Sequence, residues 1–341
     1  AFGDDCCRMK GLRMTFTQLL AWVQASRPAV TADSRQVQPG GVFVAVVGTQ
    51  ADGHDYVRQA VDRGAAYVVA QRPVEGAGCV VVEDSAVALG LLAQASQGNP
   101  NSALTNLAVT GTNGKTTVAS MVRSVLEQTG GRCGLIGTIE YCTGASTRPA
   151  PLTTPDAVTI AEAAREMVDS GCAYMMIEAS SHALYQRRLA GISFTAAAFT
   201  NLSGDHLDYH KTEAEYLDAK SRLFRGLPPH GMAVLNAESE AAHTIAGLIE
   251  PRIRTIWYGV GREAEGTATI RTVGGSDRVV AMAFEGQSYA VKTGLPGRHN
   301  ISNCLAAAGL CLAAGVGLEA VAAGLSALKN VPGRLEPVRC A

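Results

Sequence analysis

The chain has 341 residues, 47% of them hydrophobic and 17% charged, and a net charge of -1. That length exceeds one ordinary domain, and that composition excludes a disordered chain. A charge so close to zero gives no reason to expect nucleic acid or an anionic membrane as a partner.

Residues 1–13, "AFGDDCCRMKGLR", lack the apolar core of a signal segment and read as an extension outside the fold. A small N-terminal α/β domain is expected over 14–98. In "FTQLLAWVQ", Phe16, Leu19, Leu20 and Val23 share one helix face. "VFVAVV" (42–47), "AYVVA" (66–70) and "CVVV" (79–82) read as short buried strands. "HDYVRQAVDRG" lies between two of them and ends on Gly64, a helix-stop signal. "QGNPNS" (97–102) is polar and turn-rich, as a linker is.

A second domain is expected over 99–332. Strand-like runs alternate there with helical ones. "NLAVT" precedes the loop "VTGTNGKTT" (109–117) and the helical run "TVASMVRSVLEQTGG". "CGLIG", the helical "DAVTIAEAAREMVDSG", the strands "YMMIEAS" and "TAAAFTNLS", and the helical "EAEYLDAKSRLFRGL" follow. "GMAVLN", a helix from Glu238 and "IRTIWYG" come next. This alternation predicts a mostly parallel sheet with helices on both faces. From about 266 to 293 strands run without helices, which predicts a small antiparallel annex. Two Ala-rich helices, near 301–315 and 318–328, close the domain, and residues 333–341 within "VPGRLEPV" and its tail read as a further linker.

Nine cysteines are present (Cys6, Cys7, Cys79, Cys133, Cys142, Cys172, Cys304, Cys311 and Cys340), with no C-x-x-C pair. Several lie in apolar runs, so they read as reduced core residues of a cytosolic protein. No apolar run is long enough to span a bilayer.

The loop from Thr110 to Thr117 carries the chemistry. Gly111 and Gly114 allow a tight turn and close approach of backbone to phosphate. The helix N-terminus that follows offers N–H groups and a positive dipole end. Lys115 can reach the β- and γ-phosphates of a nucleotide, and the Thr116 hydroxyl can ligate Mg²⁺. Val109 stands where the common G-x-x-x-x-G-K-[ST] spelling has glycine. Glu178, at the tip of a strand, is placed either to hold Mg²⁺ or as an ordinary solvated carboxylate. "TNLSGDHLDYH" contains Asp205, His206, Asp208 and His210. A zinc pair and a polar ligand loop at the sheet's carboxyl edge are both open there, the loop being favoured. On pattern alone, Lys220 is a surface helical lysine, His182 a packed or capping residue and Asn300 a helix cap.

Taken together and in order, these segments resemble the Mur ligase family, over about 15–338. The pieces are "DSR" (33–35), "TGTNGKTT", "TTP" (153–155), "EASSHAL" (178–184), "TNLSGDHLDYH", "AKSRLF" (219–224), "GRHNISN" (297–303) and "GR" (333–334). The similarity is greatest to the branch that adds the third residue to UDP-N-acetylmuramoyl-L-Ala-D-Glu. That family spells its loop G-T-N-G-K-T, so Val109 belongs to the feeding strand. The resemblance implies a P-loop-type central domain that binds ATP. Lys115 would contact the ATP phosphates, within a loop of Thr110, Gly111, Thr112, Asn113, Gly114, Thr116 and Thr117. Thr116 and Glu178 would hold one Mg²⁺ and His206 a second. Lys220 would be carbamylated, its new negative charge supporting the metal. His299, Asn300 and Asn303 would lie near adenine, with Arg334 at the family's hinge. Thr153, Thr154, Ser180, Gln186 and Arg188 would hold the muramoyl peptide, and Ser34 and Gln50 the UDP group.

The implied reaction is ATP-dependent amide ligation by a cytoplasmic bacterial monomer. The D-Glu carboxylate becomes an acyl phosphate, which the amine of meso-diaminopimelate or L-lysine attacks. Family members carry a third, Rossmann-like domain after "GR", so an expectation is that this chain corresponds to the first two domains and ligates little alone. Neighbouring ligases (MurF-type, folylpolyglutamate or cyanophycin synthetase) and a non-catalytic nucleotide-binding protein are the alternatives.

Overall fold

The computed structural model describes residues 14–49, 51–75, 78–203, 212–260, 269–276 and 279–331. Outside them lie residues 1–13, Gln50, the loop with Asp205, His206, Asp208 and His210, and the C-terminal segment with Arg334. The chain forms two compact units, one ending at Asn99 and the other beginning at Pro100.

The first unit opens with α1 (Phe16–Ser26). Thr15 caps it, accepting from Gln18 N while the Gln18 side chain accepts from Thr15 N. These reciprocal bonds satisfy two donors that a helix start leaves open. A parallel sheet follows, in the order β1 (Val30–Thr31), β2 (Val42–Val44), β3 (Tyr67–Ala70), β4 (Gly78–Val81). The segment read as one helix between β2 and β3 divides in two. Gly53–Tyr56 forms a 3-10 turn, and α2 runs over Val57–Asp62. Asp84 caps α3 (Ser85–Ser96), accepting from Ala86 N and Val87 N. Phe43, Ala60, Val68 and Ala70 form the unit's core.

In the second unit, β5 (Thr105–Thr110) runs into the glycine loop and α4 (Lys115–Gln128). Next come β6 (Cys133–Ile136), β7 (Glu140–Cys142), β8 (Thr147–Pro149), α5 (Ala157–Asp169), β9 (Tyr174–Glu178), α6 (Ser181–Tyr185) and β10 (Ala196–Phe199). After β10 the described elements are α7 (Glu213–Arg225), β11 (Met232–Asn236), α8 (Glu240–Leu248) and β12 (Arg254–Gly259). They continue with β13 (Thr269–Ser276), β14 (Val279–Phe284), β15 (Gln287–Lys292), α9 (Arg298–Ala313) and α10 (Leu318–Ala327).

One 11-stranded sheet organises the unit, in the order β15-β14-β13-β12-β11-β10-β5-β9-β6-β7-β8. From β13 through to β6 every pairing is parallel. The expected annex is present, but it extends the main sheet, because β13 pairs parallel with β12 before β14 and β15 turn antiparallel. A second antiparallel edge, β7 and β8, stands at the other side.

Strand alternation builds a core on each face. Leu107 and Val109 of β5, with Ala196 and Ala198 of β10, face α4, α9 and α10 through Val122, Leu305 and Val321. Ala108, Ala197 and Phe199 face the other way, toward Ile160 of α5, Phe224 of α7 and Ile245 of α8. Cys133, Cys142, Cys172, Cys304 and Cys311 are free and buried, as small core residues are. Among the described residues no helix is long and apolar enough to cross a membrane.

β5 is where the strand order reverses, with β9 on one side and β10 on the other. In such sheets the crevice beyond the carboxyl ends of the strands is the usual ligand position. Thr110, Glu178 and Thr200 mark those ends.

Candidate functional site

The loop after β5 takes its shape from two glycines. Gly111 has φ 146° and Gly114 φ 89°. A Cβ on Gly111 would fall within 1.9 Å of Thr200 Oγ1, and one on Gly114 within 2.4 Å of Asn303 Oδ1. Any side chain would thus break the packing of the loop on β10 and on the start of α9. The same loop is held from outside. Asn201 Oδ1 accepts from Asn113 N at 3.0 Å, and Thr200 Oγ1 donates to Asn113 O at 2.6 Å. Thr112 Oγ1 lies 3.2 Å from Tyr216 Oη and accepts from Ser203 N at 3.0 Å. Gly114 provides no side-chain cap for α4. That leaves the helix entrance in the form that suits an anion.

Lys115 bends back over the loop, its Nζ donating to Gly111 O and Thr112 O, each at 2.9 Å. Lys220 Nζ, from α7, donates to the same Gly111 O at 3.0 Å and lies 4.3 Å over the Tyr216 ring. Lys220 is 1% exposed. The surface reading of that lysine is therefore corrected. The helical spacing was right, but the face that carries Tyr216 and Lys220 is turned inward.

Glu178 is equally buried, 1% exposed at the end of β9. Thr116 Oγ1 and Thr138 Oγ1 each donate to its Oε2 at 2.9 Å, and Thr138 N donates to Oε1 at 2.9 Å. It is not a solvated strand-end carboxylate. Thr116 gives its proton to Glu178, so toward any other partner its oxygen acts as an acceptor, as a hard cation requires. Among the described residues no group of three His, Cys, Asp or Glu side chains could hold a metal ion. The oxygen pair of Thr116 and Glu178 is the donor set present, and oxygen donors suit Mg²⁺.

Beside this pair opens a cavity of about 280 Å³, lined by Lys115, Leu152, Thr153, Thr154, Ser180, Ser181, His182, Arg188, Tyr216 and Lys220. Thr154 Oγ1 donates to Glu178 O at 2.6 Å and accepts from Ser180 N at 3.0 Å. Arg188 donates through Nη1 to Thr154 O at 2.7 Å, and through Nε and Nη2 to Gln186 Oε1 at 3.0 and 2.7 Å. A guanidinium fixed in this manner is preorganised for an anionic ligand. His182, read as a packed or capping residue, lines the cavity instead.

Asn300 and Asn303 are buried at the start of α9, and Asn303 lies against the loop at Gly114. Asn300 does not cap the helix. Gly297 stands at the cap, and Asn300 Nδ2 donates to Pro296 O while its Oδ1 accepts from Asn303 Nδ2. His299 is exposed in the first helical turn. Thr110 is fully buried, its hydroxyl without a partner among the described residues. In the first unit, Ser34 Oγ donates to Gln59 Oε1 at 2.5 Å. The neighbouring Asp33 carboxyl is held below its usual range by the Arg35 side chain.

Comparison with known proteins matches residues 109–311 to the Mur ligase middle domain and residues 28–101 to the Mur ligase family catalytic domain. The chain belongs to the Mur ligase family. Two relatives are named UDP-N-acetylmuramoyl-L-alanyl-D-glutamate--2,6-diaminopimelate ligase. That of Geobacillus kaustophilus is 39% identical over 317 residues, covering 91% of this chain and 64% of the relative. That of Chlorobium phaeobacteroides is 40% identical over 322 residues, covering 91% and 63%. The chain thus spans just under two thirds of the relatives' length. A solved ligase of the same name superposes with a TM-score of 0.77 at 28% identity, covering 92% of this chain and 65% of that one.

Within this Mur ligase frame, the structure brings Lys115, Thr116, Thr153, Thr154, Glu178, Ser180, Gln186, Arg188 and Lys220 to one crevice. Four further residues were not singled out from the sequence: Thr138, Thr200, Asn201 and Tyr216. Thr200 and Asn201 open the quoted segment "TNLSGDHLDYH", and Tyr216 stands four residues before Lys220 and so shares its helix face.

Proposed function

We propose that this chain carries the nucleotide and muramoyl-peptide sites of an ATP-dependent ligase of peptidoglycan precursor synthesis. The observation that carries the reading is the junction of two sites. Lys115 of the glycine loop lines a cavity whose other walls bear Arg188, Thr153, Thr154, Ser180 and Lys220, and Thr154 Oγ1 ties that lining to Glu178, the partner of Thr116. A nucleotide γ-phosphate and a carboxylate can meet only where their mutual repulsion is offset, and this junction supplies that place.

In this reading the glycine loop and Lys115 cradle the phosphates, with Asn300 and Asn303 toward the base. Thr116 and Glu178 would hold one Mg²⁺, and His206, which lies outside the described residues, a second. Mg²⁺ when bound neutralises charge between the two anions. Lys220 would carry a carbamate, which exchanges the charge of a buried ammonium for a negative one that could support the metal. Thr153, Thr154, Ser180, Gln186 and Arg188 hold the muramoyl-peptide end of UDP-N-acetylmuramoyl-L-Ala-D-Glu. Ser34, in the unit that ends at Asn99, belongs to the UDP end. The carboxylate oxygen attacks the γ-phosphorus, and the bond to ADP breaks. The amine of a diamino acid then attacks the acyl carbon, and inorganic phosphate leaves. The relatives' names favour 2,6-diaminopimelate as that diamino acid. A cytoplasmic monomer completes the reading.

Calorimetry with Mg·ATP and the UDP-muramoyl dipeptide tests it, together with hydroxylamine trapping of the acyl phosphate. Both ligands should bind, and Lys115→Ala should weaken the nucleotide roughly tenfold or more, the loss of charge-assisted contacts. Unchanged nucleotide affinity in that variant, or a preference for a folate over the muramoyl peptide, would overturn it. Incubation with isotope-labelled bicarbonate should give a carbamate signal that Lys220→Ala lacks.

A further inference from the structure

Thr138 follows β6 on an exposed stretch and belongs to none of the motifs read from the sequence. It nevertheless joins the two halves of the crevice. Its N–H and hydroxyl each donate to one oxygen of Glu178, and its Oγ1 lies 3.1 Å from Thr153 Oγ1. The direction of this chain follows from counting protons. A carboxylate only accepts, and a threonine hydroxyl has one proton to give. Thr138 gives its proton to Glu178 Oε2, so the bond to Thr153 must be donated by Thr153. Thr153 lines the cavity. With its proton committed, it presents lone pairs there and no donor.

We propose that Thr138 is a positioning residue. It ties Thr153 to the buried carboxylate and fixes Thr153 as a hydrogen-bond acceptor, so the group recognised at Thr153 is a peptide N–H and not a carboxylate. This inference rests on the functional reading above, which places a muramoyl peptide in the cavity. A division of labour follows within the lining. The cationic Arg188 takes the anionic end of the ligand, and Thr153 reads the peptide link. Thr138 Oγ1 thus touches both the carboxylate of the cation side and the hydroxyl of the peptide side.

The test measures calorimetric binding of three ligands to the full chain. They are UDP-N-acetylmuramoyl-L-Ala-D-Glu and two ester analogues, each with one peptide N–H replaced by oxygen. Thr138→Val keeps the branched shape and the backbone N–H but loses the hydroxyl, and Thr138→Ser restores it. The parent should lose about three- to tenfold in affinity for one ester analogue, the value of one neutral hydrogen bond. In Thr138→Val the Thr153 proton is released, and the amide-over-ester preference should shrink to about twofold or less, with Thr138→Ser returning it. Equal amide preference in parent and Thr138→Val overturns the inference alone and leaves the functional reading intact. Failure of the parent to bind the dipeptide overturns both.

Discussion

At the residue scale, the first unit holds an acid-sensitive contact that the site does not use. His54 is buried, and its Nε2 accepts from Gln71 N at 3.0 Å, so the ring proton sits on Nδ1, 2.5 Å from Asp52 Oδ1. Asp52 also accepts from His54 N and from Arg72 Nη2. The His54 N–H, then the imidazole and Arg72, hold the Asp52 carboxyl down at about 2, against an ordinary 3.8. A carboxyl with a depressed folded value contributes stability that is complete above 3.8 and is lost as pH falls through about 2. Asp52→Asn should therefore unfold at lower denaturant than the parent near neutrality, and the gap should close on acidification through that window. A gap of constant size in urea titrations across the window would contradict this account.

The glycines and Lys115 of the loop were legible because their chemistry is packed into consecutive residues. Thr138 and Tyr216 were not, because what they do depends on partners 40 and 104 positions away. Lys220 was misread for a related reason. A helix shows which residues share a face, but only tertiary packing decides which face is buried.

At the scale of elements, alternation of strand and helix predicted the parallel sheet because each such element carries its own period. α3 escaped that reading. Eight of its twelve residues are buried, so its sequence shows no polar stripe to give a period. The β7–β8 edge escaped because its strands are three residues each, too short to alternate visibly. Contact between helices also decides the sign of two otherwise identical substitutions. Gly247 is exposed in α8, and a Cβ there meets nothing within 4 Å. Gly324 of α10 lies against α4, where a Cβ would come within 2.6 Å of Val125 Cα. Alanine in place of glycine in a free helix gains about 1 kcal/mol. Overpacking against a backbone costs roughly 1–3 kcal/mol. Gly247→Ala should raise the urea midpoint and Gly324→Ala should lower it. A rise in both would mean that α10 and α4 part easily, and that the close approach does not constrain the unit.

For the whole molecule, the division at Asn99 and Pro100 separates two sets of residues that the proposed reaction needs together. Every described residue assigned to nucleotide lies in the second unit, from Thr110 to Asn303, and so do the side chains that hold them, Tyr216, Thr200 and Asn201. That unit has its own cores on both faces of the 11-stranded sheet. Ser34, assigned to the UDP end, lies in the first unit, which has a separate core of its own. Residues 100–341 expressed alone should thus fold and bind Mg·ATP within about threefold of the full chain, a difference below one hydrogen bond's worth. Saturating nucleotide, at about a hundredfold over Kd, should add about 2.7 kcal/mol to its stability. For a unit of this size that raises Tm by roughly 5–10 °C. The UDP-muramoyl dipeptide should behave differently, its affinity falling about tenfold or more when the first unit is removed, because a multipoint ligand loses one anchored end. Equal dipeptide affinity with and without the first unit would move UDP recognition into the second unit and take Ser34 out of it. Loss of nucleotide binding from residues 100–341, in a protein still folded by circular dichroism, would show instead that the glycine loop depends on the first unit for its shape.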